Sequence, residues 1–355
     1  LSGIARAAKE RVLVKGGKAL EELGGLHTIA FDKTGTLTEG NPKVKNIEVY
    51  NMEEKEFINI LFAIESLSTH PIAKSIVKKC EEMLKGNYNL LEISDIKNIS
   101  GKGITAIINE EKIFIGSKSL ILESGFIFTK EIENKIDSFS EKGYTTMIIG
   151  IEKKGITGII SLIDEPRKGV KEVIEMLKKV GVKNIMMLSG DNFKVAETIG
   201  KELGITTIKG GLLPEDKLKE IEKIKNLGLT IAMVGDGVND APAMAMSSVG
   251  IAMGAAGSDV ALETADVALL ADKLENLPFV IGLSKKAKKI IKQNLIISLG
   301  MILFLIPTSL FGLTEMGLTV IFHEGTTVVV VFNALRLLAY KNKFKDKKIN
   351  FSKKK

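Results

Sequence analysis

An aspartate that directly follows an apolar stretch is the first residue of this chain that could carry chemistry. His27 to Phe31 is short, apolar and partly β-branched, which predicts a buried strand ending at Asp32. Ligands of open α/β sheets gather at the carboxyl ends of strands. A carboxylate in that place can attack a phosphoryl group and form an aspartyl phosphate. The alternative is an aspartate that only caps a turn, because Lys33-Thr34-Gly35 follows at once.

A second strand end repeats this design about two hundred residues later. The apolar residues up to Val234 precede Gly235-Asp236-Gly237-Val238-Asn239-Asp240, a cluster of acids and glycines. Carboxylate oxygens are hard ligands that suit Mg²⁺. We therefore expect the two strand ends to make one acidic site for Mg²⁺ and phosphate.

The elements that must position these residues form a doubly wound α/β domain. From residue 155 onward, strands and helices are expected to alternate, which is typical of that fold. The expected elements are the strand 158–163, helix 166–180, strand 184–188, helix 192–203, helix 214–226, strand 230–234 and helix 240–246. This domain is therefore expected to be discontinuous, comprising residues 27–42 and 153–275.

Residues 43–152 lack that alternation and are expected to form an inserted α+β domain. Its expected helices are 53–64, 71–85 and 129–141, and its expected strands lie near 104–108, 111–115 and 145–151. The sequence of 355 residues has a net charge of +7, with 50 basic residues against 43 acidic ones, which suits a globular protein better than a nucleic-acid partner. A single cysteine, Cys80, excludes a disulfide framework and fits a reducing compartment.

Two long apolar runs near the end of the sequence predict membrane helices. Residues 295–313 carry no charge, and residues 317–340 contain only His323, Glu324 and Arg336 as ionisable groups. Each run is long enough to cross about 30 Å of hydrocarbon, and the short connection between them predicts a hairpin. Lysines flank both outer ends, which places those ends and the soluble domains in the cytoplasm. The alternative is a pair of buried helices in a soluble domain.

The remaining segments follow from these assignments. We expect residues 1–26 to be a membrane-proximal helix and linker, 276–294 a cytoplasmic helix, 295–340 the two transmembrane helices, and 341–355 a basic cytoplasmic tail. The first residues resemble the interior of a helix, and no secretory signal is visible, so we expect a piece of a longer protein.

The loops Asp32 to Thr38 and Gly235 to Asp240 resemble the signature loops of P-type ATPases. Ser68-Thr69-His70-Pro71 is similar to the histidine-proline motif of the heavy-metal-transporting subclass. The resemblance covers the whole chain but only the later part of such a protein. It implies a phosphorylation domain of haloacid-dehalogenase-like fold, with an inserted nucleotide-binding domain and a C-terminal transmembrane hairpin.

The resemblance also implies a set of functional residues. The implied catalytic residues are Asp32, Lys33, Thr34, Gly35, Thr36, Ser189, Gly190, Asp191, Lys217, Asn239 and Asp240. The implied nucleotide-binding residues are Glu65, His70, Gly101, Gly103 and Gly116. Mg²⁺ would be held by Asp32, the carbonyl oxygen of Thr34, and Asp236. Asp164-Glu165-Pro166-Arg167 resembles a hinge segment of the family, although a salt bridge at a helix start would explain it nearly as well.

Thr34 separates two enzyme classes. Related soluble phosphatases carry a second aspartate at this position as general acid and base, and a threonine cannot exchange a proton at neutral pH. An aspartyl phosphate next to Thr34 is therefore expected to hydrolyse slowly, as a pump requires. A membrane-tethered phosphatase of the same fold and a non-catalytic nucleotide-binding regulatory chain are the alternatives.

His323-Glu324-Gly325-Thr326-Thr327 resembles a motif of the cobalt, zinc and cadmium subgroup. Ionisable groups inside a membrane are expensive and usually functional, although a structural pair is the alternative. Imidazole and carboxylate suit Zn²⁺, Co²⁺ or Cd²⁺. His323 and Glu324 are separated by about 100° around a helix, so one ion could bind both only if the helix unwinds near Gly325.

We therefore expect ATP-driven translocation of such a cation in a membrane protein, with the bacterial plasma membrane as its location. The expected cofactors and partners are Mg²⁺, ATP, the transported metal ion, the lipid bilayer and the earlier part of the pump. No Thr-Gly-Glu motif of an actuator domain is present in the sequence, and no nucleic-acid partner is expected.

Overall fold

The computed structural model describes residues 1–87, 91–99, 101–236, 240–253, 263–270, 273–313 and 315–342. Within them the strands are β1 (Val12–Val14), β2 (Thr28–Asp32), β3 (Lys43–Val49), β4 (Ile93–Ile99), β5 (Gly103–Ile108), β6 (Glu111–Gly116), β7 (Thr145–Ile151), β8 (Gly155–Ile163), β9 (Asn184–Leu188), β10 (Thr207–Lys209), β11 (Ile231–Gly235), β12 (Val249–Met253) and β13 (Val267–Leu269). The α-helices are α1 (Ser2–Lys9), α2 (Gly17–Gly24), α3 (Glu54–Glu65), α4 (Pro71–Leu84), α5 (Lys118–Glu123), α6 (Lys130–Glu141), α7 (Val170–Lys179), α8 (Phe193–Leu203), α9 (Pro214–Asn226), α10 (Ala241–Met246), α11 (Leu277–Leu310) and α12 (Met316–Leu335).

The chain forms two compact units. The first contains Leu1–Ala30, Gly169–Ile185 and Leu218–Lys355, and the second contains Phe31–Lys168 and Met186–Lys217. In the first unit, a sheet runs in the order β1, β13, β12, β11 and then the first residues of β2 and β9. β11, β12 and β13 are parallel, and β1 is antiparallel to β13. Every residue of β2 and β11 is buried, as expected for strands covered on both faces.

The second unit contains a six-stranded sheet in the order β3, β8, β7, β6, β5 and β4, all antiparallel. One face packs on α3 and α4 through a core that includes Phe57, Ile64 and Ile76. The other face packs on α5 and α6 through a core that includes Phe114, Ile136 and Phe139. The last residues of β9 also belong to this unit, and they pair in parallel with β10.

Strand β8 corrects one expectation from the sequence. The strand at 158–163 was expected to open the doubly wound alternation, whereas β8 lies inside the antiparallel sheet between β7 and β3. Only Glu152, Lys153 and Lys154 join β7 to β8. A parallel crossover needs a dozen or more residues, so this short connection permits only a hairpin.

The helical hairpin differs from expectation in one respect. Residues 276–294 were expected to form a helix separate from the membrane helix at 295–313, but α11 is continuous from Leu277 to Leu310. Its polar part is attached within the first unit, where the Lys285 ammonium donates to the carbonyl oxygens of Val180 and Gly181 at 2.7 and 2.9 Å. These carbonyls follow the C-terminus of α7, where a cation is favourable.

Two helical segments, Leu274–Leu310 and Met316–Ala339, are long and apolar enough to cross a membrane. Leu303 is 73% exposed and Phe332 is 66% exposed, which a buried core helix would not allow. α11 and α12 form the expected hairpin, because the Asn333 amide donates to Asn294 Oδ1 at 2.8 Å and the Asn294 amide donates to the Val330 carbonyl at 3.3 Å.

Candidate active site

Asp32 is the last residue of β2 and is only 8% exposed. Lys217 Nζ donates to Asp32 Oδ1 at 2.5 Å, so the two side chains form a partly buried ion pair. The position of Lys217 follows from the start of α9, where Pro214 occupies the first turn and Asp216 Oδ2 accepts from the backbone N–H of Leu213 at 3.3 Å. The structure thus brings together Asp32 and Lys217, two of the residues that the family resemblance singled out.

Hydrogen bonds of the Thr38 hydroxyl stabilise the loop that follows Asp32. Gly35 has φ +75°, a conformation that favours glycine. The Thr38 hydroxyl accepts from the N–H of Gly35 at 3.2 Å, and it lies 2.9 Å from the carbonyl oxygen of Lys33 and 2.5 Å from Asp164 Oδ2. Thr34 is exposed in this loop, whereas Thr36 is fully buried and its hydroxyl has no hydrogen-bond partner among the described residues.

Asp164 and Arg167 also form hydrogen bonds with backbone groups of this loop. Asp164 Oδ1 accepts from the N–H of Gly40 at 3.0 Å. The Arg167 guanidinium donates to the carbonyl oxygens of Gly35 at 2.7 Å and Thr38 at 2.9 Å. The salt bridge at a helix start, which was the alternative for this segment, is absent from the described residues. Sequence reasoning missed this role, although the spacing of an acid and an arginine around Pro166 marked the segment.

Lys33 and Asp191 form a second ion pair. Lys33 is 3% exposed, and its ammonium contacts Asp191 Oδ2. Burial would lower the pKa of Lys33, but the negative charge and hydrogen bond of Asp191 outweigh that effect and raise the pKa above its ordinary value. Asp191 follows β9 through Ser189 and the exposed Gly190, and its N–H donates to the buried Ser189 hydroxyl at 3.1 Å.

The second acidic strand end lies in the first unit. Asp236 follows β11 directly, and Asp240 is 2% exposed at the start of α10. A side chain on Gly235 would collide with Asp240, because its Cβ would lie 2.5 Å from Asp240 Oδ2. This close approach explains the glycine. Asn239 lies outside the described residues.

Glu65 ends α3 and is 3% exposed, with no hydrogen-bond partner for Oε1 among the described residues. Burial raises the pKa of Glu65 from its ordinary value of 4.5 to about 7. His70 is exposed and caps α4, since its Nδ1 accepts from the N–H of Ile72 at 3.2 Å. His70 therefore has a structural role at the start of α4, and Nε2 carries the proton in the neutral ring.

Gly103 and Gly116 face each other across β5 and β6. A Cβ on Gly103 would lie 2.2 Å from the carbonyl oxygen of Ile115, and one on Gly116 would lie 2.2 Å from that of Lys102. These two glycines are thus required by close packing of the strands. Gly101 has φ +69° in the turn before β5, and the nearest atom to a Cβ there would be 3.9 Å away.

His323 and Glu324 are exposed on α12, which continues as a helix from Met316 to Leu335. The local unwinding near Gly325 that joint metal binding would need is therefore absent. The hydroxyls of Thr326 and Thr327 donate to the carbonyl oxygens of Phe322 and His323, at 2.8 and 3.4 Å. Among the described residues, no group of three or more histidine, cysteine or acidic side chains is placed to hold a metal.

The fold and the site at the end of β2 indicate the family of proteins to which the chain belongs. The family model for haloacid dehalogenase-like hydrolases matches residues 26–247, and the chain belongs to that family. Among curated proteins, the chain is similar to the cadmium-transporting ATPase of Staphylococcus aureus, with 43% identity over 346 residues, covering 97% of this chain and 47% of the relative. The chain spans about half the length of the curated relatives that it matches.

Solved structures agree with this likeness. A zinc-transporting PIB-type ATPase in the E2.Pi state matches with a TM-score of 0.66 and 39% identity over 95% of this chain and 54% of that chain. The catalytic domain of the CPx-ATPase CopB-B, studied upon nucleotide binding, matches with a TM-score of 0.59 and 31% identity over 79% of this chain and 100% of that chain. The expected fold class and the resemblance to heavy-metal-transporting P-type ATPases are confirmed.

Proposed function

We propose that this chain carries the phosphorylation and nucleotide-binding parts, and two membrane helices, of an ATP-driven pump for a divalent heavy-metal cation. The observation that carries the proposal is the buried carboxylate of Asp32 at a strand end, held by Lys217 at 2.5 Å. The cadmium- and zinc-transporting relatives support Zn²⁺ or Cd²⁺ as the cargo, and Co²⁺ stays an expectation from the sequence motif. Membrane location is supported by the exposed apolar hairpin.

The chemistry begins with the Asp32 carboxylate as nucleophile. An oxygen of Asp32 attacks the γ-phosphorus of ATP, the bond between that phosphorus and the bridging oxygen breaks, and ADP leaves. Lys217 neutralises charge on the transferring group, as positioned cations do in phosphoryl transfer. The exposed Thr34 would offer its hydroxyl to the phosphoryl oxygens, with Ser189 as a further hydroxyl beside Asp191.

The carboxylate of Asp32 and the carbonyl oxygen of Thr34, both in the second unit, are hard oxygen ligands that fit Mg²⁺, and the carboxylate of Asp236 in the first unit is a ligand of the same chemical kind. Bound there, the ion would neutralise the negative charge of the transferring phosphoryl group. Asn239 and Asp240 would support these ligands. The Thr36 hydroxyl is fully buried and has no partner among the described residues. Buried hydroxyls normally form hydrogen bonds, so this loop is suited to bind a further polar group.

The nucleotide would bind the second unit near Glu65 and His70. The buried Glu65 oxygen without a partner among the described residues can accept from the adenine amine. His70 Nδ1 is already used by the cap of α4, so the ring offers Nε2–H and its face to the base. Gly101, Gly103 and Gly116 would line this site, and the close packing of β5 on β6 independently requires glycine at 103 and 116.

Thr34 favours the pump over a phosphatase of the same fold. Its hydroxyl cannot act as a general base for water at neutral pH, so the aspartyl phosphate would persist until another part of the pump acts on it. In the hairpin, we propose that His323 or Glu324 is a ligand for the transported ion. The continuous α12 supports one of the two, rather than both, contacting the same ion.

The test is phosphorylation of the whole 355-residue chain in detergent with Mg²⁺ and γ-labelled ATP. We expect hydroxylamine-sensitive label that is abolished by Asp32→Asn. Glu39→Gln, which changes an exposed carboxylate on the same loop, is the matched control and should label normally. A chase with unlabelled ATP should show slow loss of label, whereas rapid turnover would favour the phosphatase. Equal labelling of Asp32→Asn would remove Asp32 from the proposed role.

A further inference from the structure

We infer that Thr145 is a positioning residue for phosphoryl transfer, acting through Asp191 on the loop that carries Asp32. The inference rests on the proposed function. Thr145 is the first residue of β7 and therefore belongs to the six-stranded sheet, while Asp191 follows β9. The Thr145 hydroxyl donates to Asp191 Oδ1 at 3.3 Å, and the other carboxylate oxygen, Oδ2, contacts Lys33.

Asp191 is the point at which three segments meet. Its carboxylate binds Lys33 of the nucleophile loop and Thr145 of the nucleotide-binding sheet. Its backbone carbonyl accepts from the N–H of Gly211 at 2.5 Å, in the segment that leads into α9 and Lys217. A rotation of the Asp191 side chain would therefore disturb Lys33, the cation next to Asp32 in sequence, while the backbone of Asp191 stays bonded to the segment that precedes Lys217.

A second set of contacts keeps Thr145 in place. The turn before β7 contains Gly143 with φ +76°, and a Cβ there would lie 3.6 Å from side-chain atoms of Thr198 and Ile199 on α8. Lys194 on α8 pairs with Asp137 on α6 at 3.0 Å. Because α8 begins directly after Asp191 and Asn192, these contacts place the start of α8 near the turn that precedes Thr145.

Thr145 also offers a matched control. Successive side chains of a strand point to opposite faces of the sheet, so Thr146 points away from the face that Thr145 occupies. Thr145→Val removes the hydroxyl and keeps the shape, Thr145→Ser restores the hydroxyl, and Thr146→Val makes the same change on the opposite face. A loss caused by lower β-sheet stability would appear in both valine variants.

The experiment uses two measurements on the whole chain. The first is acetylation of Lys33 by an N-hydroxysuccinimide ester, read by mass spectrometry, which needs no catalytic activity. Thr145→Val should increase the rate roughly three- to tenfold, which corresponds to the net contribution of one ordinary hydrogen bond. Thr145→Ser and Thr146→Val should match the wild type.

The second measurement is the rate of labelling from γ-labelled ATP at saturating nucleotide. Thr145→Val should slow it by a similar factor and leave the ATP dissociation constant unchanged. Unchanged Lys33 acetylation in Thr145→Val would overturn the inference whatever the labelling shows, as would equal effects of the two valine variants. A wild-type chain that takes no label at Asp32 would overturn the proposed function, and with it the catalytic meaning of the contact, even where the acetylation confirms the contact itself.

Discussion

Removal of strand β8 is the sharpest test of how the second unit is built. The sequence alone placed the end of the inserted domain at residue 152, but the six-stranded sheet runs from Lys43 to Ile163. A piece of the protein that ends at 152 would lack β8, which pairs with β3 on one side and β7 on the other. The edge strand β3 would then have no partner in the sheet.

The expected loss follows from burial. Four large apolar side chains of β8 are nearly inaccessible, namely Ile156, Ile159, Ile160 and Leu162 at 5, 0, 0 and 1% exposure. Full burial of such a side chain contributes roughly 1.5–3 kcal/mol, so together they contribute roughly 6–12 kcal/mol. The free energy of unfolding of a whole domain is about 5–15 kcal/mol. The piece 43–152 should therefore fail to fold, whereas 43–163 should fold and unfold cooperatively.

Far-ultraviolet circular dichroism with urea titration would measure folding of the two pieces, and calorimetry would measure ATP binding. A third piece, 43–168, controls for chain length because it adds residues beyond β8 without adding a strand. It should match 43–163 in midpoint and affinity. A cooperative transition for 43–152 with the same midpoint as 43–163 would refute the argument from burial.

Three further predictions use single substitutions. The free energy of unfolding of the piece 43–163 should fall by roughly 3 kcal/mol as the pH rises from about 4.5 to about 7, because the pKa of Glu65 is higher in the folded state than in the unfolded state. Urea titrations of Glu65→Gln should show no such dependence on pH. His70→Ala and His70→Asn should both weaken ATP binding by about 1–2 kcal/mol in calorimetry. Only the alanine should also lower stability, by about 1 kcal/mol, because asparagine restores the cap of α4. Arg167→Lys keeps the charge but loses the two hydrogen bonds to Gly35 and Thr38, so labelling of Asp32 should slow roughly tenfold. An unchanged labelling rate would show that the loop keeps its conformation without Arg167.

Local patterns predicted most of the elements. The strand before Asp32 was visible because it is apolar and ends in an acid and a glycine turn. The family resemblance singled out Lys217 as a catalytic residue, but its contact with Asp32 was not predicted. The two spanning helices were visible because their length and apolarity depend on no distant partner. These features share one property, which is that a short stretch of sequence contains the whole signal.

Non-local pairing was the part that the sequence could not supply. The apolar sequence of β8 would suit a strand of either sheet. Only the three-residue link to β7 shows that β8 belongs to the six-stranded sheet. Asp164 and Thr38 are separated by 126 residues, so nothing in either segment indicates that their side chains meet. The burial of Glu65 and the close approach of Gly103 to Gly116 likewise depend on how α3 and the strands pack.

The two lysines of the site have different electrostatic positions, and this difference separates their roles. Lys33 is buried against Asp191, whose charge raises the pKa of Lys33, so it stays a charged partner of Asp191. Lys217 instead pairs with Asp32, the proposed nucleophile. In the proposed transfer, the carboxylate oxygen that becomes part of an acyl phosphate loses its negative charge, while the phosphoryl oxygens bring more. Lys217 can follow that charge by a small movement, because a lysine side chain has a flexible four-carbon stem. Lys33 cannot move with that charge without breaking its ion pair with Asp191. The hydrogen bond from Thr145 to Asp191 therefore affects the position of the loop after Asp32 and not the charge on the transferred group.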